Sequence, residues 1–140
     1  MRRNIQFATI AACWLLFSCN KDSVEENGNL LTGKWSIITD TTYSGVGAGN
    51  HPVSYTGKPD DYLDFNTNGI LYIMESGRLN SLSYTSVSDN IVVINSFLSD
   101  GSGYGDTCSV TDLTMHNAVI STIILASPGG TLGRKVHLSK

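Results

Sequence analysis

Residues 30–140 of this chain read as all-β: a small eight-stranded antiparallel up-and-down barrel. Three observations predict it. Threonine, serine, valine, isoleucine and tyrosine dominate the stretch, and helix-start and helix-stop signals are almost absent from it. Glycine, asparagine, aspartate and serine recur at short intervals between apolar runs, the punctuation of hairpins. A series of short strands joined mostly by tight turns leaves two raw sheet edges unless the first and last strands meet, and closing the sheet removes them.

The first strand is expected over residues 34–43, K-W-S-I-I-T-D-T-T-Y, followed by a long glycine-rich connection over 44–59. The G-V-G-A-G piece in that connection is not followed by a helix, so no phosphate cradle is expected from it. Strands two and three, 61–65 and 70–75, flank the turn N-T-N-G. There Thr67, Asn68 and Gly69 make a three-residue loop with the glycine left-handed. Phe65 then faces Leu71 and Leu63 faces Ile73, so Leu63, Phe65, Leu71 and Ile73 share one face as a core stripe. The same register opposes Asp61 and Glu75 near the strand ends. They are either two solvated rim acids or an acidic patch at a cavity mouth that favours a cationic ligand. S-G-R and S-D-N lead into strands over 82–87 and 91–95. A second long connection, 96–106, precedes strands over 107–114, 118–125 and 134–139, separated by M-H-N and S-P-G-G.

Ahead of the barrel the chain opens M-R-R-N and runs through a short apolar stretch to Cys19. Two arginines before such a stretch are the layout of a secretory signal peptide, and the stretch is shorter than the ~20 residues of a spanning helix. The end of the run, L-F-S-C, resembles the lipobox of bacterial lipoproteins. That resemblance implies cleavage before Cys19, acyl chains carried on Cys19, and residence in the cell envelope as an outer-membrane lipoprotein on either face. Anchoring follows from about 0.8 kcal/mol per buried methylene, stable once two or more chains insert. The expected organisation is a signal peptide over 1–18, a lipidated cysteine and polar tether over 19–29, and the barrel over 30–140. Losing residues 1–18 removes Arg2 and Arg3 and no acid, so 9 basic residues become 7 against 12 acidic ones. A mildly acidic domain of this kind lacks the basic footprint of a nucleic-acid binder. Of three cysteines only Cys108 then keeps a free thiol, which excludes an intramolecular disulfide and reads as a small buried hydrophobe.

The first strand opens L-T-G-K-W, residues 31–35, and Y-L-D-F-N-T-N-G-I-L-Y-I follows later in the chain. Together with the closing R-K-V-H-L-S-K these resemble the short lipocalin-like domains of bacterial lipoproteins, with their G-x-W signature. The resemblance implies that Gly33 and Trp35 are structural, Trp35 plugging one end of the barrel under a basic side chain, with Arg134 or Lys135 as the cation. It also implies an interior able to take a small apolar or amphipathic ligand, with Leu63, Phe65, Leu71 and Ile73 among the lining residues. The alternative is a solid-cored interaction or accessory subunit working through its long loops, with Tyr43, Tyr55, Phe97 and Tyr104 as contacts. His51, His116 and His137 have no ligand neighbours at zinc spacing, and no G-x-S-x-G elbow is present. No metal, cofactor or catalytic constellation is therefore expected, and the chain reads as a non-enzyme.

One motif competes with the hairpin. Asp64, Asn66, Asn68, Gly69 and Glu75 fit the ligand spacing of a calcium-binding EF-hand loop. Its flanks do not: Pro59 and the alternating D-Y-L-D-F stand upstream, and Gly77 follows the last position by two residues. In the hairpin register Asp64 lies opposite Tyr72, with Glu75 three residues farther along and on the other face, ~10 Å away along the strand. Calcium titration is expected to leave the thermal midpoint unmoved; a rise of several degrees would overturn the hairpin reading.

Overall fold

Alternation decides which way each side chain points, and ten strands follow from it in the computed structural model, which describes residues 30–45, 51–98, 105–122, 125–127 and 130–140. They are β1 (Gly33–Gly45), β2 (Val53–Thr56), β3 (Tyr62–Phe65), β4 (Ile70–Glu75), β5 (Arg78–Ser88), β6 (Ile91–Asn95), β7 (Gly105–Thr111), β8 (Asn117–Thr122), β9 (Leu125–Ser127) and β10 (Gly130–Ser139). All pairings are antiparallel, the sheet runs β2-β1-β3-β4-β5-β6-β7-β8-β10-β9, and β1 pairs with β10 to close it. This is the expected closed eight-stranded all-β barrel, compatible with a lipocalin-like fold. No helix of the described residues is long and apolar enough to cross a membrane. Residues 1–29, with Cys19 and the tether, lie outside the described residues, as does Tyr104.

Eight barrel positions hold ten strands because β2 and β3 are one strand interrupted. Both run along the same side of β1, β2 against Thr39–Thr42 and β3 against Gly33–Ser36. Residues 57–61 are inserted between them, and the ladder resumes on either side through Gly57 N–H to Ile38 O and Ile37 N–H to Asp61 O. Gly57 is required there: a Cβ at this position would stand 1.8 Å from the Ile37 carbonyl oxygen. β9 is a short extra strand folded back on β10.

The interior stripe follows the register read from the N-T-N-G turn. Leu63 pairs with Ile73, Asp64 with Tyr72 and Phe65 with Leu71, and Gly69 has φ +80°. Leu31, Trp35, Ile37, Leu63, Phe65, Leu71, Val92, Ile94, Cys108, Val110, Ile120, Val136 and Leu138 are buried in one core. Burying each large apolar side chain contributes about 1.5–3 kcal/mol, which is what holds the sheet closed. Several boundaries differ from expectation. The glycine-rich connection contains β2, and the strand expected over 118–125 divides into β8 and β9. β5 begins at Arg78 because pairing with β4 from Glu75–Arg78 onward carries its polar start, R-L-N-S, into the sheet. Pairing along a neighbour outweighs weak intrinsic strand preference there.

β1 carries a bulge that matters for everything at one end of the barrel. Ile37 pairs with Leu138 and Thr39 with His137, leaving Ile38 as the extra residue. Trp35 and Ile37 face in before the bulge, Ile38 is exposed, and Asp40 faces in after it. Gly57→Ala is expected to lower stability by about 2–4 kcal/mol, because backbone on both sides must move. Urea denaturation at unchanged slope measures it, and a loss below ~0.5 kcal/mol would show that the β2–β3 insertion is not pinned at this point.

Candidate functional site

The two ends of the barrel interior differ in chemistry. At the first end Trp35 is fully buried, and its indole N–H donates to the Leu31 carbonyl at 2.6 Å. The cation above it is Lys140, 4.2 Å from the ring centroid, with its ammonium also donating to the Thr32 carbonyl. Neither Arg134 nor Lys135 takes this place, because Arg134 sits higher on β10 beyond Val136 and Leu138, and Lys135 points outward. Gly33 holds the approach to β1 with φ +106°, its Cα side open toward the Lys140 ammonium. Phe65 meets Tyr84 edge-on at 5.1 Å, and the Tyr84 hydroxyl donates to the Asn66 carbonyl; burial raises the Tyr84 pKa. Leu63, Phe65 and Leu71, expected to line a ligand, are fully buried in this packed half.

At the other end the inward positions turn polar: Asp40 on β1, Glu75 on β4, Asn80 on β5, Asp106 on β7, Thr122 on β8 and Arg134 on β10. Arg134 is the hub. Its Nε donates to both oxygens of Asp40 at 3.2 and 2.9 Å, and Nη2 donates to Asp40 Oδ2 at 2.5 Å. Nη1 donates to the Phe97 carbonyl at 3.0 Å, and the guanidinium lies 4.5 Å over the Phe97 ring. Nη2 also reaches Glu75 Oε2, at a longer 3.3 Å. The Asp40 side chain is 3% exposed and that of Arg134 11%, so this ion pair is desolvated on both sides. A planar fork against a carboxylate is the geometry that makes a buried pair tolerable. The Thr122 hydroxyl completes the frame by accepting from the Arg134 backbone N–H at 2.8 Å.

Glu75 is the looser of the two acids on Arg134, with its side chain 32% exposed. Burial raises its pKa, the Arg134 charge opposes that, and Asp40 and Asp61 add to it. Two recesses open here and share Glu75 and Arg134. One, about 290 Å³, is bordered by Ile73, Glu75, Asn80, Ser81, Leu82, Ser96 and Arg134. The other, about 210 Å³, is bordered by Asp40, Thr42, Glu75, Phe97, Leu98 and Arg134. The first lies where β5 has no partner on its β6 side: β6 joins β5 only from Tyr84 onward. Of the expected lining residues, Ile73 alone reaches this space.

Asp61 and Glu75 do not act as a pair. Asp61 is 2% exposed and belongs to the 57–61 insertion, where its carboxylate accepts from the Tyr55 hydroxyl at 2.5 Å and the N–H groups of Lys58 and Ser76. The Tyr55 hydrogen bond holds its pKa down, and the same bond raises that of Tyr55. Asp61 therefore fastens β2 and the β4–β5 turn to the insertion, as a structural anchor. Phe97, expected as a loop contact, is fully buried beneath Arg134, and Cys108 is buried with its thiol pushed up to about 12 by burial. Among the described residues no group of three or more His, Cys, Asp or Glu could hold a metal ion.

The Asp40–Arg134 pair, separated by 94 residues, was missed by sequence reasoning. Its signal is the doubled isoleucine of I-I-T-D, a break in alternation that turns the aspartate inward. No protein-family model matches the chain, and neither a curated protein nor a solved structure does.

Arg134→Met is expected to cost about 3–5 kcal/mol, since Asp40 is left buried without its counter-charge. Adding Asp40→Leu should return most of the loss. Guanidinium denaturation of both variants measures this, and a single-variant loss under ~1 kcal/mol would remove the pair as the organiser of this end.

Proposed function

We propose that this chain is an envelope lipoprotein, anchored to the outer membrane through acylated Cys19, whose barrel binds a small amphipathic ligand at its polar end. The observation that carries the binding reading is the recess of about 290 Å³ in which Ile73 and Leu82 stand beside Glu75, Asn80 and Arg134. A concave site with an apolar wall and a few convergent polar groups is what small-molecule recognition uses. The volume is several times that of a water molecule, ~30 Å³ in the liquid. The ligand is then small, seated at the mouth and not deep in the barrel, because the lower half is filled by its own side chains.

The filled core also favours a second reading, an accessory subunit that meets a partner protein through its loops. Tyr43, half-buried at the far end of β1, remains on the surface for such a contact. The binding role is read as non-enzymatic; burial raises the Cys108 thiol pKa to about 12, which disfavours that residue as a nucleophile.

Native mass spectrometry of the full-length protein extracted from its own host tests both halves of the proposal. The expected spectrum shows a triacyl or diacyl mass increment on Cys19 and a co-purifying small molecule lost on collisional activation. An unmodified cysteine would overturn the anchor, and a bare barrel accompanied by a stoichiometric protein would favour the accessory reading.

A further inference from the structure

The charges at the polar end do not balance. Asp40, Glu75 and Asp106 face inward there, and Arg134 is the cation among them. The remaining cations lie elsewhere: Lys34 over the Tyr62 ring on the outer face, Lys58 in the insertion, Lys135 exposed on β10 and Lys140 over Trp35. Arg78 stands opposite Glu75 on the same side of the β4–β5 ladder, at the barrel's rim, but it is exposed and forms no ion pair with Glu75. Outside the described residues, Arg2, Arg3 and Lys21 belong to residues 1–29, and residues 46–50, 99–104, 123–124 and 128–129 contain no lysine or arginine. Among the described residues, Asp40, Glu75 and Asp106 thus face inward there with Arg134 as the one cation that forms an ion pair with any of them.

The guanidinium charge is already paired with Asp40. Asp40 takes its Nε and Nη2 edge, and the Phe97 carbonyl takes Nη1. Glu75 receives only the long contact through Oε2, and among the described residues its Oε1 has no hydrogen-bond partner. That carboxylate borders the recess together with the Asn80 and Ser96 side chains, which supply further polar contacts, and with Ile73 and Leu82, which supply an apolar wall.

Building on the reading of this recess as a ligand site, we propose that its ligand is a small amphipathic amine. The ammonium group sits on Glu75, and the hydrocarbon part lies against Ile73 and Leu82. An ammonium offers three donors and no acceptor, which suits a site rich in carboxylate oxygen. A carboxylate or phosphate ligand would meet the Glu75 carboxylate on the recess wall, with the Arg134 charge already paired to Asp40. Burial is the main cause of the raised pKa of Glu75, with smaller contributions from Asp40 and Asp61, and a bound cation would draw it down again.

The test uses the full chain in nanodiscs and equilibrium dialysis against three probes of matched shape: 2-phenylethylammonium, 2-phenylethanol and phenylacetate, with empty nanodiscs as blank. The ammonium should bind at least tenfold more tightly than the alcohol, with the carboxylate weakest. Glu75→Gln should bring the ammonium to within about twofold of the alcohol measured on the same variant, and Asn80→Asp should tighten the ammonium further. Melting curves establish that both variants are folded. Equal binding of all three, or tightest binding of phenylacetate, would overturn the amine while leaving the recess a ligand site. Binding of none, with Ser96→Trp at the recess making no difference to any probe, would overturn both.

Discussion

One extra residue in β1 sets the character of this barrel. Strand side chains alternate with a period of two, so a strand without interruption would present the same face to the interior from end to end. Ile38 breaks that count. Before it, β1 contributes Trp35 and Ile37 to a dry core; after it, β1 contributes Asp40 to an interior that has to be polar. The bulge is held from both sides, by the β10 ladder and by the backbone contacts of Gly57 and Asp61.

Once Asp40 points inward, Arg134 has to follow. A carboxylate 3% exposed cannot stay ionised among apolar side chains without a partner at close range. The partner comes from the strand that closes the barrel, so the topological seam and the electrostatic seam coincide. Phe97 lies under the guanidinium and separates it from the packed half. The result is a barrel in which the apolar half supplies stability and the polar half holds charge in fixed positions. Under the proposed function, fixed charges facing a small recess would leave a ligand little reorganisation to make.

The legible parts of the fold were those governed by local chemistry. The N-T-N-G turn dictates its own loop, and with it the pairing of Leu63 with Ile73 and Phe65 with Leu71. The same register disposed of the calcium-loop pattern by placing Asp64 and Glu75 on different faces. The illegible parts were those that depend on a count being broken. β2 hides in a glycine-rich connection because four residues, V-S-Y-T, are too few to show a period. Asp40 reads as an outward residue unless the bulge is known, and the identity of the cation over Trp35 turns on where β10 sits relative to β1. A shift of six residues along the chain separates Arg134 from Lys140, and the two ends of the barrel from one another.

Trp35 is the only indole in residues 30–140, and it stands fully buried at the packed end. Trp35 borders neither recess, whereas Phe97 borders the smaller one. Indole emission from the barrel therefore reports the integrity of the sealed half rather than of the mouth. Occupancy of the mouth must be read by another probe, and any change in the indole spectrum on adding a solute would signify a disturbance transmitted down the strands.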